Sequence, residues 1–103
     1  MFNIKDIMAQ AQGLQSKMEA LKEELATKTV VGSAGGDMVV VEANGAQEIV
    51  SLRIEEDLWS GSDREMIEDL VTAAVNDALR KSKDLVTEEM SKLTGGLRLP
   101  GLG

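Results

Sequence analysis

The chain has 103 residues, 43% of them apolar, a formal net charge of −7, and neither cysteine nor histidine. This length predicts one globular domain. The missing side chains exclude disulfides, thiolate or imidazole catalysis and ordinary zinc sites. No apolar run approaches the roughly 18 residues that span a bilayer, and the N-terminus lacks the apolar core of a signal peptide, so we expect a cytoplasmic protein.

The first predicted element is a long helix that begins after Asn3, a good N-cap residue. Its apolar residues recur at alternating gaps of three and four, the spacing of a coiled-coil seam: Ile4, Ile7, Ala11, Leu14, Met18, Leu21 and Leu25. Gly13 weakens this helix by about 1 kcal/mol relative to alanine. We expect the seam to pack on its own chain and partly on a second copy, in preference to a free-standing coiled coil.

Three β-prone runs follow, at residues 29–31, 38–43 and 46–54. The pair Asn44-Gly45 between the last two predicts a hairpin with a type I′ turn, which needs positive φ at both central residues. In the last run, Ile49, Leu52 and Ile54 do not alternate strictly, which indicates a bulge or a partly two-sided strand. The expected result is a three-stranded antiparallel meander covered by helices.

Two segments between these elements resemble ligand sites superficially. The glycine-rich residues 32–36 lack the Lys-Ser/Thr ending of a phosphate-binding loop, so we interpret them as a flexible turn. The acidic residues 55–57 lack the spacing of a calcium loop, which favours a solvated turn over a cation site. We expect Trp59 to anchor this connection against the sheet edge, with a surface contact as the lesser alternative.

Ser62 and Glu65 have the spacing of a capping box and predict the start of a second long helix. Small residues in its first half, such as Ala74 and Ala78, let another backbone approach closely. Its second half keeps only a narrow apolar stripe, so we expect it to leave the body of the domain and pair with the first helix. Gly95-Gly96 ends it, which gives a single domain over residues 1–96 and a flexible tail over 97–103.

No catalytic, cofactor-binding or metal-binding constellation stands out, so we expect a protein that works through its surfaces and not an enzyme. With only two aromatic residues, it lacks the platforms on which single-stranded nucleic acid stacks. The acidic balance also disfavours DNA unless basic residues are locally concentrated. Taken singly, each basic side chain is more commonly a solubilising residue or an ion-pair partner than a DNA contact.

A series of motifs runs through nearly the whole chain: a glutamine-rich first helix with Met8-Ala9-Gln10-Ala11-Gln12 and Lys17-Met18, then Gly32, Val39-Val41 and Asn44-Gly45, and most prominently residues 68–74 (EDLVTAA) and 76–78 (NDA). With these motifs, nearly the whole chain resembles the YbaB/EbfC family of bacterial nucleoid-associated proteins. The ending Gly-Gly-Leu-Arg-Leu-Pro-Gly is also similar. The resemblance implies an α+β fold, α-β-β-β-α, in a tweezer-like homodimer with projecting helical arms.

It also implies binding to duplex DNA at the nucleoid and an influence on chromosome organisation and gene expression. The implied DNA contacts on the arms are Arg80, Lys81, Lys83, Lys92, Lys17 and Lys22. The implied dimer interface includes Val71, Ala74, Val75 and Ala78. The alternative hypothesis is a helical adaptor dimer that grips a protein partner through its apolar arms; a structural dimer without a partner is a weaker third.

Overall fold

A long helix, three strands, a short helix and a second long helix follow one another along the chain. The structure is a computed structural model that describes residues 3–61 and 63–93. The elements are α1 (Ile4–Thr27), β1 (Thr29–Ala34), β2 (Val39–Asn44), β3 (Ile49–Ile54), α2 (Glu56–Gly61) and α3 (Arg64–Leu93). The predicted α-β-β-β-α order is confirmed, with α2 as an additional short helix where the sequence analysis placed a solvated turn.

The strands form an antiparallel meander in the order β1-β2-β3. The alternating residues Val39, Val41 and Ala43 of the central strand are fully buried and form the middle of the core. Between β2 and β3 the register shifts: Glu42 pairs with Ser51, and Ala43 pairs with Ile49, so Val50 is an extra residue. The bulge that the broken alternation of β3 indicated is therefore present.

Helix α3 crosses β1 and β2 at very short range. Ala74, Ala78 and Ser82 lie at successive i+4 positions on one face and have no exposed surface. A Cβ added to Gly32 of β1 would lie 2.7 Å from both the Ala74 carbonyl oxygen and the Ala78 Cα. The backbone that approaches the small residues of α3 is thus β1 of the same chain, and Gly32 belongs to a strand and not to a flexible turn.

This packing changes the expected dimer interface. Ala74 and Ala78 are fully buried inside the chain, so neither has surface left for a second copy. Val71 and Val75 are only partly buried against the same core and stay at the edge of the α3 contact. The sequence showed that a backbone comes close to α3, but it could not show whose backbone.

The β2–β3 turn differs from the predicted type I′ turn. Neither Asn44 nor Gly45 has a positive φ; Gln47 does, at 62°. The Asn44 Oδ1 instead accepts from the backbone N–H groups of Ala46 and Glu48, at 2.9 and 3.0 Å. Gly45 serves a different purpose: its N–H donates to the Leu25 carbonyl at 2.8 Å, and a Cβ there would lie 2.6 Å from that oxygen.

The connection to α3 also departs from expectation. Trp59 is 67% exposed, so the prediction that it anchors the connection is wrong; its neighbour Leu58 is buried in the core instead. Asp63 precedes α3, and its Oδ1 accepts from the Met66 N–H at 2.9 Å, as an N-cap does. Ser62, Gly95-Gly96 and the predicted tail 97–103 lie outside the described residues.

Within the described residues, helix α1 packs on the rest of the chain only through its C-terminal end. Leu21 and Leu25 are buried, and the helix contacts β2 and α3. Every residue from 4 to 17 is exposed, including Ile4 at 73% and Leu14 at 50%. We call residues 4–17 the arm, and the sheet with the α3 segment 67–82 the body. The expected packing of the seam on its own chain therefore holds only for its last turns.

Candidate nucleic-acid interface

Two of the six candidate DNA contacts, Arg80 and Lys81, are bonded within the body. Lys81 Nζ donates to the Val31 carbonyl at 3.0 Å and lies 3.3 Å from Asp77 Oδ2. Arg80 Nη1 lies 3.3 Å from Asp77 Oδ1. Asp77 also accepts from the Ser33 N–H at 3.1 Å, so it joins α3 to β1. Lys81 therefore helps to fix the helix on the sheet, whereas Arg80 pairs only with Asp77 of its own helix.

The charge state of Asp77 reflects this position. The hydrogen bond from the Ser33 N–H is the largest influence and lowers the pKa of the carboxyl below its ordinary value of 3.8. The hydrogen bond and charge of Lys81 lower it further, against a smaller opposing effect of burial. Asp77 is thus a carboxylate at neutral pH and neutralises part of the basic cluster formed by Arg80 and Lys81.

A second ionic group ties α1 to the far part of α3. Lys28 Nζ lies 3.4 Å from both Glu24 and Glu89, and Lys92 lies 3.4 Å from the same Glu89 oxygen. The hydrogen bond to Glu89 raises the pKa of Lys28. Burial raises the pKa of Glu89, but its bonds to Lys28 and Lys92 outweigh burial and hold it lowered. Lys92 is therefore occupied by acidic neighbours of its own helix.

The three remaining candidate DNA contacts differ from Arg80, Lys81 and Lys92 in their ion pairing. Among the residues that the structure describes, Lys17, Lys22 and Lys83 form no ion pair, and all three are exposed. Lys17 and Lys22 lie on α1 about 7.5 Å apart along its axis. We call these three side chains the uncommitted lysines. Arg53, on the sheet face opposite α3, is also exposed without an ion pair to a described residue, and no motif of the sequence singled it out.

Two adjoining grooves place two of the uncommitted lysines beside the β2–β3 turn. One groove, of about 360 Å³, is lined by Lys22, Leu25, Gly45, Ala46, Gln47 and Val86. The other, of about 530 Å³, is lined by Gln47, Asn76, Leu79, Arg80 and Lys83. The fold thus brings Lys22 of α1 and Lys83 of α3 to the two sides of one turn, while Lys17 lies further out on the arm.

An apolar strip remains uncovered beside the α3 contact. Helix α3 packs mainly on β1 and β2, so the third strand has little cover. Its Ile49, Val50 and Leu52 are 43%, 55% and 44% exposed. Leu52 pairs with the buried Val41, so it belongs to the sheet face on which α3 lies. The half-buried Val71 and Val75 lie on that same helix.

Within residues 3–61 and 63–93, no three acidic side chains are grouped so as to hold a metal ion. In the same residues, no helix combines the length and the apolar character that crossing a bilayer requires.

Comparison with known proteins agrees with this architecture. A nucleoid-associated protein of Desulfotalea psychrophila is 51% identical over 100 residues, which cover 97% of this chain and 94% of that protein. A nucleoid-associated protein of Syntrophobacter fumaroxidans is 50% identical over 95 residues, with coverages of 92% and 86%. Neither name describes an enzyme.

A crystal structure of an uncharacterized protein from Helicobacter pylori has the same fold, with a TM-score of 0.81. It is 22% identical, and the match covers 92% of this chain and all of that one. The model of the YbaB/EbfC DNA-binding family matches residues 1–97. The chain is therefore a member of the YbaB/EbfC DNA-binding family.

Proposed function

We propose that this protein binds duplex DNA as a homodimer with little sequence preference, in the cytoplasm at the nucleoid, where it influences chromosome organisation and gene expression. Family membership and the names of the relatives support the DNA-binding part. The observation that carries the proposal is the set of uncommitted lysines, Lys17, Lys22 and Lys83. They are the candidate cations that are exposed and not engaged by described acidic side chains.

The proposed contacts are of a kind that tolerates sequence variation. A lysine ammonium is a compact charge that meets phosphate oxygens without reading the base edges. Trp59, on α2, is the one aromatic residue that the structure describes, so stacking on unpaired bases contributes little. We therefore expect an affinity governed by counterion release, which weakens steeply as salt is added.

A homodimer explains how an acidic chain could hold DNA. One copy offers three uncommitted lysines against a net charge of −7. Two copies keep the same ratio of lysines to net charge, but they would hold six lysines at fixed positions, and this spacing is the gain. The uncovered apolar strip formed by Ile49, Val50 and Leu52 supplies surface that a second copy could bury, with Val71 and Val75 at its edge. Light scattering should give twice the chain mass, and a monomer at micromolar concentration would contradict the homodimer.

A salt titration with duplex DNA tests the binding. Lys22→Gln and Lys83→Gln should each weaken binding and flatten the plot of log affinity against log salt by about 0.9 per lost phosphate contact. The matched control is Arg64→Gln, which removes the same charge from a side chain that is 92% exposed and paired with Glu68 at the start of α3. If the unsubstituted protein does not bind duplex DNA in low salt, the proposal is wrong.

The exposed arm favours a second candidate, a helical adaptor for a protein partner. Ile4, Ile7 and Leu14 of the apolar seam are between 50% and 73% exposed, although such residues are stabilised by burial. Contacts through this seam would survive salt concentrations that release phosphate contacts. Binding of a protein partner that persists in about 1 M salt, and is lost in Leu14→Gln, would support the adaptor over the DNA-binding protein.

A further inference from the structure

The β2–β3 turn lies between two of the uncommitted lysines, Lys22 of α1 and Lys83 of α3. Of the described residues, Gln47 is the one that lines both grooves, so it lies between the Lys22 groove and the Lys83 groove. Both grooves are open to solvent at this turn, and Gln47 is exposed between them. Anything with repeated negative charge that engages both lysines must pass over this residue.

The backbone of the turn is held in one conformation. The Gln47 N–H donates to the Asn44 carbonyl at 3.0 Å, and the Asn44 side chain accepts from both Ala46 and Glu48. Gln47 itself has a φ of 62°, a left-handed conformation that glycine or asparagine adopts more readily. The position therefore carries a long amide side chain where the backbone alone would favour a smaller residue.

The chemistry of that side chain suits a phosphate. A glutamine amide offers two N–H donors without a charge of its own, and amides are common partners of phosphate oxygens in protein–DNA contacts. The acidic group on the turn, Glu48, directs its Oε1 toward Asn44 Nδ2 at 3.0 Å, a neutral donor that leaves the carboxylate charged. The turn thus offers amide donors between two cations, beside the carboxylate of Glu48.

We infer that the β2–β3 turn is a third DNA-contacting element, in which the Gln47 amide donates to the phosphate backbone that Lys22 and Lys83 neutralise. This inference rests on the proposed DNA binding and extends it from the two helices to the sheet. It makes one continuous contact surface from α1 over the turn to α3.

Charge substitutions at the turn test the inference. Gln47→Lys should strengthen binding to duplex DNA and steepen the salt dependence by about 0.9 per added phosphate contact, and Gln47→Glu should weaken binding about tenfold. The matched control is Asp37→Asn in the β1–β2 turn at the opposite end of the sheet, a position that also has a positive φ, of 70°. It raises the charge of the protein by one, as Gln47→Lys does.

A third substitution distinguishes the effect of the Gln47 side chain from the effect of the turn conformation. Gln47→Gly relieves the left-handed conformation and removes the amide, so it should keep or raise the melting temperature while lowering DNA affinity. If Gln47→Lys, Gln47→Gly and Gln47→Glu all bind as the unsubstituted protein or the Asp37→Asn control does, the turn makes no contact. The Lys22→Gln and Lys83→Gln variants then still report on the proposed function, which fails separately if the unsubstituted protein binds no DNA.

Discussion

The middle of α3 and the arm of α1 are both helical, but the middle of α3 packs closely on a strand, whereas the arm is exposed to solvent. In the body, Ala74, Ala78 and Ser82 are fully buried, and the backbone of β1 lies directly against them. Along the arm every side chain is exposed, and an alanine Cβ added to Gly13 would meet nothing within 4 Å. Small residues therefore fix the body through close backbone packing, whereas the arm leaves its apolar seam available to a partner.

The strongest test of this contrast is Gly32→Ala. The new Cβ would collide with the backbone of α3 at Ala74 and Ala78, and backbone atoms cannot move aside as a flexible side chain can. We expect a loss of about 3 kcal/mol in the free energy of unfolding, a large share of the roughly 5–15 kcal/mol of a typical domain. Urea denaturation followed by circular dichroism measures it. An unchanged midpoint would show that β1 and α3 do not approach this closely.

A smaller loss is expected from Ser82→Ala. The Ser82 hydroxyl donates to the Asn44 carbonyl at 2.7 Å, and both residues are buried. Removing the donor leaves the carbonyl with one fewer partner where water has little access, which costs about 1–2 kcal/mol. The same denaturation experiment measures this loss. Ser16→Ala, at an exposed position of the arm of α1, is the control for intrinsic helix propensity.

Much of the fold could be predicted because its signals are local. The alternating gaps of three and four gave α1, the Asn44-Gly45 pair gave the β2–β3 hairpin, and the broken alternation of β3 gave its bulge. The turn type was wrong because Gly45 is required by a contact with Leu25 of α1, and not by a positive φ. The sequence alone does not show whether a glycine is required for a close contact or for a positive φ.

The expectations that the structure did not bear out depended on contacts between distant parts of the chain. Ala74 and Ala78 indicate a close approach, but the approaching Gly32 is more than 40 positions away in the chain. Trp59 was expected to anchor its connection against the sheet edge, whereas the fold buries Leu58 instead. The ion pairs of Asp77 could have been predicted from the sequence. Asp77 lies three and four residues before Arg80 and Lys81, which is the spacing of helical ion pairs.

On the arm, the same glycine-to-alanine change should have the opposite sign. Gly13→Ala adds a methyl group that meets no neighbour, in the interior of an exposed helix. We expect the substitution to stabilise the helical conformation of the arm by about 0.5–1 kcal/mol relative to its unfolded state. Helix content by circular dichroism and hydrogen exchange of the arm amides would show the gain. A loss comparable to that of Gly32→Ala would mean that the arm is packed against something in solution, which would favour the dimer or the adaptor contact.

The smallest effect should appear at the boundary where Asp77 holds Arg80 and Lys81 on the body. The pKa of Asp77 is lowered on folding, chiefly by the Ser33 N–H and then by Lys81. Its stabilising contribution is therefore complete above the unfolded pKa, near 3.8, and is lost as the pH falls through the lower folded value. Melting temperatures of the protein and of Asp77→Asn should differ at pH 7, and the difference should shrink as the pH falls below 3.8. A difference that stays constant over that range would mean that the charge of Asp77 does not contribute; Arg80 and Lys81 would then be as free to meet phosphate as the uncommitted lysines.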